Sequence, residues 1–247
     1  VIASHIRVPD GPVPDMVHFH KVGFQLIFCI KGWVDVLYED QGAMRRLTAG
    51  DCFIQPPRIR HKVCHAGGGI EVIEIGVPAE HITEIDHAMK LPTATERPER
   101  EWDGQRFVHS LAAEGVFAPF RIPGFEARDT GINAATRGVA SVMVARPREG
   151  QSPWTTHSGD ILFTFVMSGA MTLEGEGKEP YRLAAGIDLL DRQIDGVLQR
   201  RNEVGDRSGD VHQDADLGIA RLGEGAGSEQ RGGGDQGSCT FHSFLPL

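Results

Sequence analysis

The chain has 247 residues, of which 40% are hydrophobic, and a formal charge of -9. That length suits one large or two small domains with a packed core. The acidic balance argues against nucleic acid as a partner, because phosphate neutralisation needs clustered Lys and Arg; no apolar run reaches membrane-spanning length, and the N-terminus lacks the charged-then-apolar pattern of a secretory signal.

The chain opens on Val1 rather than Met, so a few residues are expected upstream. The segment HFHKVGFQLIFCIKG (residues 18–32) sets two histidines one residue apart, with Gln25 and Gly32 following. On a strand, residues i and i+2 point to one face, so His18 and His20 can aim imidazoles at a single point. FQLIFCI (24–30) reads as an apolar strand, Gly32 as a turn, WVDVLY (33–38) as an alternating strand and EDQG (39–42) as a hairpin loop. The stretch from 47 to 51 leads into CFIQ (52–55), which Pro56-Pro57 ends because proline cannot donate to a ladder. His61 follows that turn and can reach the point addressed by His18 and His20. Three imidazoles and a carboxamide suit a divalent transition metal. Gly67 to Gly69 reads as a flexible hairpin loop, with no phosphate-binding helix after it, and IEVIEIGV (70–77) closes the first sheet system.

From residue 78 to 104 the pattern dissolves. HITEIDHAMKL (81–91) suggests a helical turn or two, and PTATERPER (92–100) a polar linker. Strands resume near 106–108, at VASVMVARP (139–147) and at ILFTFVM (161–167). Short strands between turn signals predict an all-β barrel or sandwich. From 202 to 237 Gly, Asp, Arg, Glu and Ser dominate without periodicity, a composition that cannot bury enough surface to offset its ordering entropy. Two explanations of that change are open: a native disordered tail over residues 187–247, or a shifted reading frame near residue 186. Cys29, Cys52, Cys64 and Cys239 form no Cys-x-x-Cys pair, Cys29 reads as a small core residue, and free thiols suit a reducing cytoplasm. Neither a Gly-x-Ser-x-Gly elbow nor a dinucleotide fingerprint is present, which sets aside Ser-His-Asp and Rossmann enzymes.

The motifs resemble those of the cupin family. Its first motif is Gly, five residues, His-x-His, three or four residues, Glu, six residues, Gly. His18, His20 and Gly32 match, Gln25 stands where Glu is usual, and Gly11 lies one residue early. Its second motif is Gly, five residues, Pro-x-Gly, two residues, His, three residues, Asn. Gly50, Pro56 and His61 match, Arg58 replaces the glycine and His65 the asparagine. A weaker copy follows: THSGDILFTFVMSG (156–169) puts His157 at the second histidine, Thr155 at the first, Leu162 at the carboxylate and Gly169 at the closing glycine, and YRLAAG (181–186) echoes RRLTAG (45–50). The positions equivalent to Gly50, Pro56 and His61 hold Gly186, Arg192 and Val197. The resemblance implies an all-β, double-stranded β-helix (jelly-roll) bicupin. Residues 1–77 form a metal-binding barrel, 78–104 a linker and 105–186 a degenerate second barrel.

It also implies His18, His20, Gln25 and His61 as metal ligands, with Fe(II) favoured over Zn, Ni, Mn or Cu. His65, on the face of His61 by the period-two rule, is a candidate to move protons. Arg58 and Arg60 are candidates to clamp a substrate carboxylate, the alternative being solvated edge charges. Phe24, Phe28 and Trp33 are assigned to core packing before pocket lining, and His157 is not expected to ligate. The implied activity is a dioxygenase-type oxidoreductase acting on a small oxygen-rich molecule. A metal-dependent isomerase or lyase, or a non-catalytic binding cupin, is the alternative. A cytoplasmic homodimer, with neither nucleic acid nor membrane as partner, completes the expectation.

Overall fold

The computed structural model describes residues 1–148, 151–156, 161–174, 179–185, 215–220 and 239–244, and among these nearly all regular structure is strand. Two compact units result, Val1–Gly115 with Thr130–Ala140 and Val116–Asp129 with Ser141–Leu247.

The first unit is built on two long antiparallel strands, β4 (Phe24–Tyr38) and β7 (His61–Val77), after β1 (Ile2–Arg7), β2 (Gly11–Pro12) and β3 (His18–Lys21). β5 (Arg45–Thr48) and β6 (Cys52–Ile54) pair with β4, whereas β1, β2 and β3 pair with β7. β8 (Ile82–Ile85) adds to β3, and β11 (Val108–Ser110) adds to β6 beyond the small hairpin of β9 (Glu101–Trp102) and β10 (Gln105–Arg106). Alternation decides the faces. Gln25 and Ile27 point into a cavity with Glu74 and Val72, while Leu26, Phe28, Ile73 and Ile75 are buried on the opposite face, each contributing about 1.5–3 kcal/mol. Residues of β1, β3, β4, β6 and β7 line that one cavity, so the sheet is curled into an all-β barrel around it. Phe24 and Phe28 are buried away from the cavity, and Trp33 stacks under the Arg46 guanidinium at 3.8 Å; all three pack rather than line.

Three sequence expectations give way here. Gly32 makes no turn, because β4 runs straight through it, nor do Gly67 to Gly69 interrupt β7. The register between the two strands shifts at Cys29/Lys31 and Lys31/Trp33, so the glycines bend the pair as bulges do. A Cβ on Gly32 (φ 68) would sit 2.5 Å from the Gly67 carbonyl oxygen. The helical turns expected at 81–91 are instead β8 and bends.

Residues 78–104 are not a linker either. β8 is hydrogen-bonded to β3, and the segment beyond is strapped to the loop after β4. Arg100 Nη1 donates to Glu39 Oε1 and Asp40 Oδ2, both at 2.6 Å, Arg97 Nη2 reaches Asp40 Oδ2 at 2.5 Å, and Asp40 N donates to Thr93 Oγ1 at 2.8 Å. Burial alone would raise the Asp40 carboxyl, but the hydrogen bonds from Arg100 and Arg97 outweigh it and hold the group below the usual carboxylate range.

The second unit starts at Val116 rather than 105, because β11 belongs to the first unit's sheet. It contains β12 (Phe117–Pro119), β13 (Phe125–Asp129), β14 (Ala140–Pro147, largely in this unit), β15 (Gln151–Thr156), β16 (Leu162–Val166), β17 (Ala170–Glu174) and β18 (Tyr181–Ala184). A core cluster of Ile122, Phe125, Ala127 and Ala145 packs within it. The tail expected to lack structure holds β19 (Ala215–Ala220), parallel to β16, and β20 (Cys239–Phe244), parallel to β15 and β17. His157, Gly186, Arg192 and Val197 lie outside the described residues, as does the rest of 187–247.

Candidate metal centre

β3 carries His18 and His20 on one face, and its antiparallel pairing with β7 sets His18 directly opposite His61. The ring centroids of His18 and His61 are 4.2 Å apart, and those of His20 lie 5.0 Å from both. One ligand nitrogen from each ring lies within 4.8 Å of the others, a spread that small side-chain rotations bring within reach of one cation with bonds of about 2.1 Å. Each ring is held from its far side. His18 Nδ1 donates to the Met16 carbonyl at 2.8 Å, with Asp15 Oδ1 at 3.3 Å, and His61 Nδ1 donates to the Ile59 carbonyl at 3.1 Å. A carbonyl can only accept, so in both rings the proton sits on Nδ1 and the Nε2 lone pair is left to ligate. His20 Nδ1 meets the Thr83 hydroxyl of β8 at 2.8 Å.

Electrostatics favour the ligating form. Burial first, then His81 and His18, push His20 down to about 3. Burial, followed by His18 and His20, holds His61 well below the ordinary imidazole value. Both are neutral near pH 7, as a metal ligand must be. This donor set fits a divalent transition ion.

Gln25, buried to 2% exposure, lines the same cavity. Its Nε2 donates to Glu74 Oε1 at 3.1 Å and meets His81 Nε2 at 3.4 Å, while His81 Nδ1 pairs with the same Glu74 oxygen at 3.1 Å. One tautomer satisfies the network: His81 gives its Nδ1 proton to Glu74 and accepts from Gln25 on Nε2. Both amide hydrogens of Gln25 are then engaged, which leaves Oε1 as the atom to offer a cation.

The other sequence candidates are not brought to this point. His65 is exposed. Between Asp35 and Val36 the β4–β7 register shifts by one, so Val63 opposes Val36 while His65 opposes Asp35. The extra residue, Cys64, is a bulge that cancels the period-two inference, and His65 lies across from an Asp35 held by Arg46 at 2.7 Å rather than across from a cavity residue. Arg60 donates to Asp86 Oδ2 at 3.1 Å and lies over the Phe19 ring at 4.5 Å. Arg58 is exposed, with positive φ, and 3.8 Å from Asp103. Neither guanidinium lines the cavity.

Glu74, His81, Tyr38 and Gln55 were not singled out by the sequence. Glu74 had a signal, being an acid inside the apolar run IEVIEIGV at the alternation of Ile70 and Val72. Gln55 Nε2 donates to the Tyr38 hydroxyl at 2.7 Å, and the Tyr38 ring centroid lies 5.7 Å from that of His61. His81, with its centroid 4.2 Å from that of His20, reaches the site only because β8 folds back on β3.

No protein-family model matches the chain, and no curated protein sequence matches it. Solved structures do match in part. A mutant of Bacillus subtilis oxalate decarboxylase aligns at 14% identity over 54% of this chain and 46% of that one, with a TM-score of 0.37. Salicylate 1,2-dioxygenase from Pseudaminobacter salicylatoxidans aligns at 20% identity over 41% and 30%, with a TM-score of 0.30. A Bacillus subtilis oxalate decarboxylase described for its Mn(II) centres aligns at 18% identity over 36% and 22%, with a TM-score of 0.26. This chain thus spans less than half the length of each of these proteins, and their activities remain their own.

Antiparallel strands curled around three converging imidazoles, two from a His-x-His strand and one from the strand after a Pro-Pro turn, are the arrangement that the cupin-like motifs imply. The donor set suits a divalent metal ion, with Gln25 at the position where the cupin motif carries Glu.

Proposed function

We propose that the protein is a dioxygenase-type oxidoreductase that uses Fe(II) to act on a small oxygen-bearing organic molecule. One observation carries this reading: three imidazoles, one ligand nitrogen of each within 4.8 Å of the others, converge in a cavity of about 240 Å³ that Gln25 also lines and whose walls are otherwise largely apolar. Bound there, a divalent iron supplies Lewis acidity and open positions for substrate oxygens and dioxygen.

The protein's own groups do the rest. The Met16 and Ile59 carbonyls and the Thr83 hydroxyl orient the three rings, so only small side-chain rotations are needed when the site fills. The four uncharged ligands leave the ion its full double charge, which strengthens its pull on an anionic oxygen. Val34, Val36 and Val72 line the same cavity and keep it apolar, so each electrostatic contact acts in a low dielectric.

The same reading has the protein working as a cytoplasmic homodimer without nucleic acid or membrane partners. Among the described residues, no helix is long and apolar enough to cross a membrane. For that dimer the reading takes the edge strand β8 as the contact, where Ile82 and Ile85 are about half exposed.

Elemental analysis of the purified protein, followed by oxygen-electrode assays with diketones, catechols and hydroxy acids, tests the activity. Iron near one per chain with substrate-dependent oxygen uptake is expected. Iron-loaded protein that consumes no oxygen with the whole panel would refute the oxygenase, and turnover of a substrate without oxygen would make the protein an isomerase or lyase.

A further inference from the structure

We propose that Arg60 is a positioning residue for the metal centre: it pins β8 across the ligand-bearing strands and so keeps Thr83 and His81 against the histidines. This rests on the metal-dependent reading and adds to it a group that stands outside the donor set.

β8 needs such a pin. It stands at the end of its sheet, where it pairs with β3 over only four residues, Ile82–Ile85. Its two isoleucines are about half exposed, so apolar burial does little to hold it, and an edge ladder of this length opens readily. Yet this short segment shapes the centre. Alternation sets residues 81 and 83 on one face. Thr83 Oγ1 lies 2.8 Å from His20 Nδ1, and the His81 ring centroid lies 4.2 Å from that of His20.

Arg60 supplies the hold. It immediately precedes His61, and its Nε donates to Oδ2 of Asp86, the residue after β8, at 3.1 Å. The same guanidinium lies 4.5 Å over the ring of Phe19, between the two histidines of β3. One side chain at the root of β7 thus ties β8 to β3. Both ends of the contact are fixed in turn. Glu39 N donates to the Arg60 carbonyl at 2.9 Å, and Arg100, from the segment beyond β8, donates to Glu39 Oε1 at 2.6 Å. Asp86 N donates to the Val17 carbonyl at 2.9 Å, and Asp86 Oδ1 accepts from the Ala88 and Met89 amides at 3.1 and 3.0 Å. The Arg60 and Asp86 side chains are 29% and 21% exposed, so water screens this pair less than it screens a surface bridge. Without the guanidinium β8 is free to lift, and His20 loses the hydroxyl that orients its ring.

Release of Mn(II) from the loaded protein to excess chelator, followed by stopped flow, tests this, with deuterium exchange of the 82–85 amides measured alongside. Arg60→Met keeps the apolar stem over Phe19 and removes the guanidinium. Asp86→Asn keeps an oxygen for the Ala88 and Met89 amides and removes the charge. Each is expected to release Mn(II) about tenfold faster than wild type and to exchange the β8 amides faster, with β5 and β6 unchanged. Thr83→Val deletes the hydroxyl at nearly constant shape; it is expected to speed release by itself and to add little in the Arg60→Met background, because both changes act through His20. An arginine that only stabilised the fold would speed exchange in every strand, and its effect would multiply with that of Thr83→Val. Either result, or wild-type release rates from both Arg60→Met and Asp86→Asn, overturns the proposal and leaves the metal centre standing. Should Arg60→Met not fold, Asp86→Asn reads the same contact from its other end. Failure of the wild-type protein to take up Mn(II) overturns the metal-dependent reading, and this proposal with it.

Discussion

Gln25→Glu is the substitution that most directly probes the centre. It exchanges an amide that donates to Glu74 at 3.1 Å for a second carboxylate at the same place, 2% exposed in the native protein. Two like charges about 4 Å apart at an effective dielectric near 20 repel by about 4 kcal/mol. Coupling of that size raises one carboxyl by about 3 pH units, so protonation relieves part of the cost at pH 7. A net loss of about 3 kcal/mol corresponds to a melting point about 10 °C lower in a chain of this length. A divalent ion reverses the sign, since the added carboxylate now faces a cation. The expected signature is therefore a lower Tm for the metal-free variant than for the metal-free wild type, with a larger rise on metal addition. Differential scanning calorimetry with and without Mn(II) measures both. A metal-free variant melting within a degree or two of wild type would refute the reasoning, because it would mean that the two side chains do not share the pocket.

His61→Ala removes one of three imidazole donors and should abolish most metal uptake, measured by elemental analysis after dialysis; full occupancy would exclude His61 as a ligand. His65→Ala, at an exposed position opposite Asp35, should change stability by less than about 0.5 kcal/mol and leave metal content and turnover unchanged; a loss of turnover would restore it as a functional group. Asp40→Asn should destabilise the first unit by about 1–3 kcal/mol, since it removes a buried carboxylate bonded by the partly exposed Arg100 and the exposed Arg97. The pH dependence follows from the depressed carboxyl: its folded value lies below the ordinary 3.8, so its stabilisation is present above that value and lost as pH falls through the folded one. Urea midpoints measured between pH 6 and 2 should show an acid-side decline that is shallower in Asp40→Asn; parallel curves would contradict the assignment.

The histidine triad was legible because strand periodicity and the two motifs fix it without knowledge of distant contacts. His18 and His20 need only their own strand, and His61 needs only a partner ladder. Pro56-Pro57 ended its strand as expected, and the apolar runs at 24–30 and 70–77 are the strands that bury the core. The errors share a cause. Gly32, Gly67 and Gly69 look like turn residues in isolation, but two strands of 15 and 17 residues pair across them and convert them into bends. His65 failed for the same reason, through the extra residue at Cys64. Residues 78–104 read as a linker because their anchors are charges, Arg97 and Arg100 on Glu39 and Asp40, and no periodicity announces an ion cluster. Glu74 and His81 join the site through long-range pairings, Ile27 with Glu74 and β3 with β8, which a local reading does not see.

The bulge at Cys64 also bears on how relatives of this protein should be compared. From His61 to His65 the chain counts four steps, but the hydrogen-bonded ladder counts three, Tyr38 to Asp35. Numbering outward from the histidine therefore swaps inside for outside at every position past the bulge until a second irregularity intervenes. A variant lacking residue 64 would keep Val63 and Ala66 on the interior and His65 on the exterior, with only the spacing of the second motif shortened. Homologues that differ there by one residue can thus share an interior while appearing misaligned, and their pocket residues are better matched through strand partners than through sequence intervals.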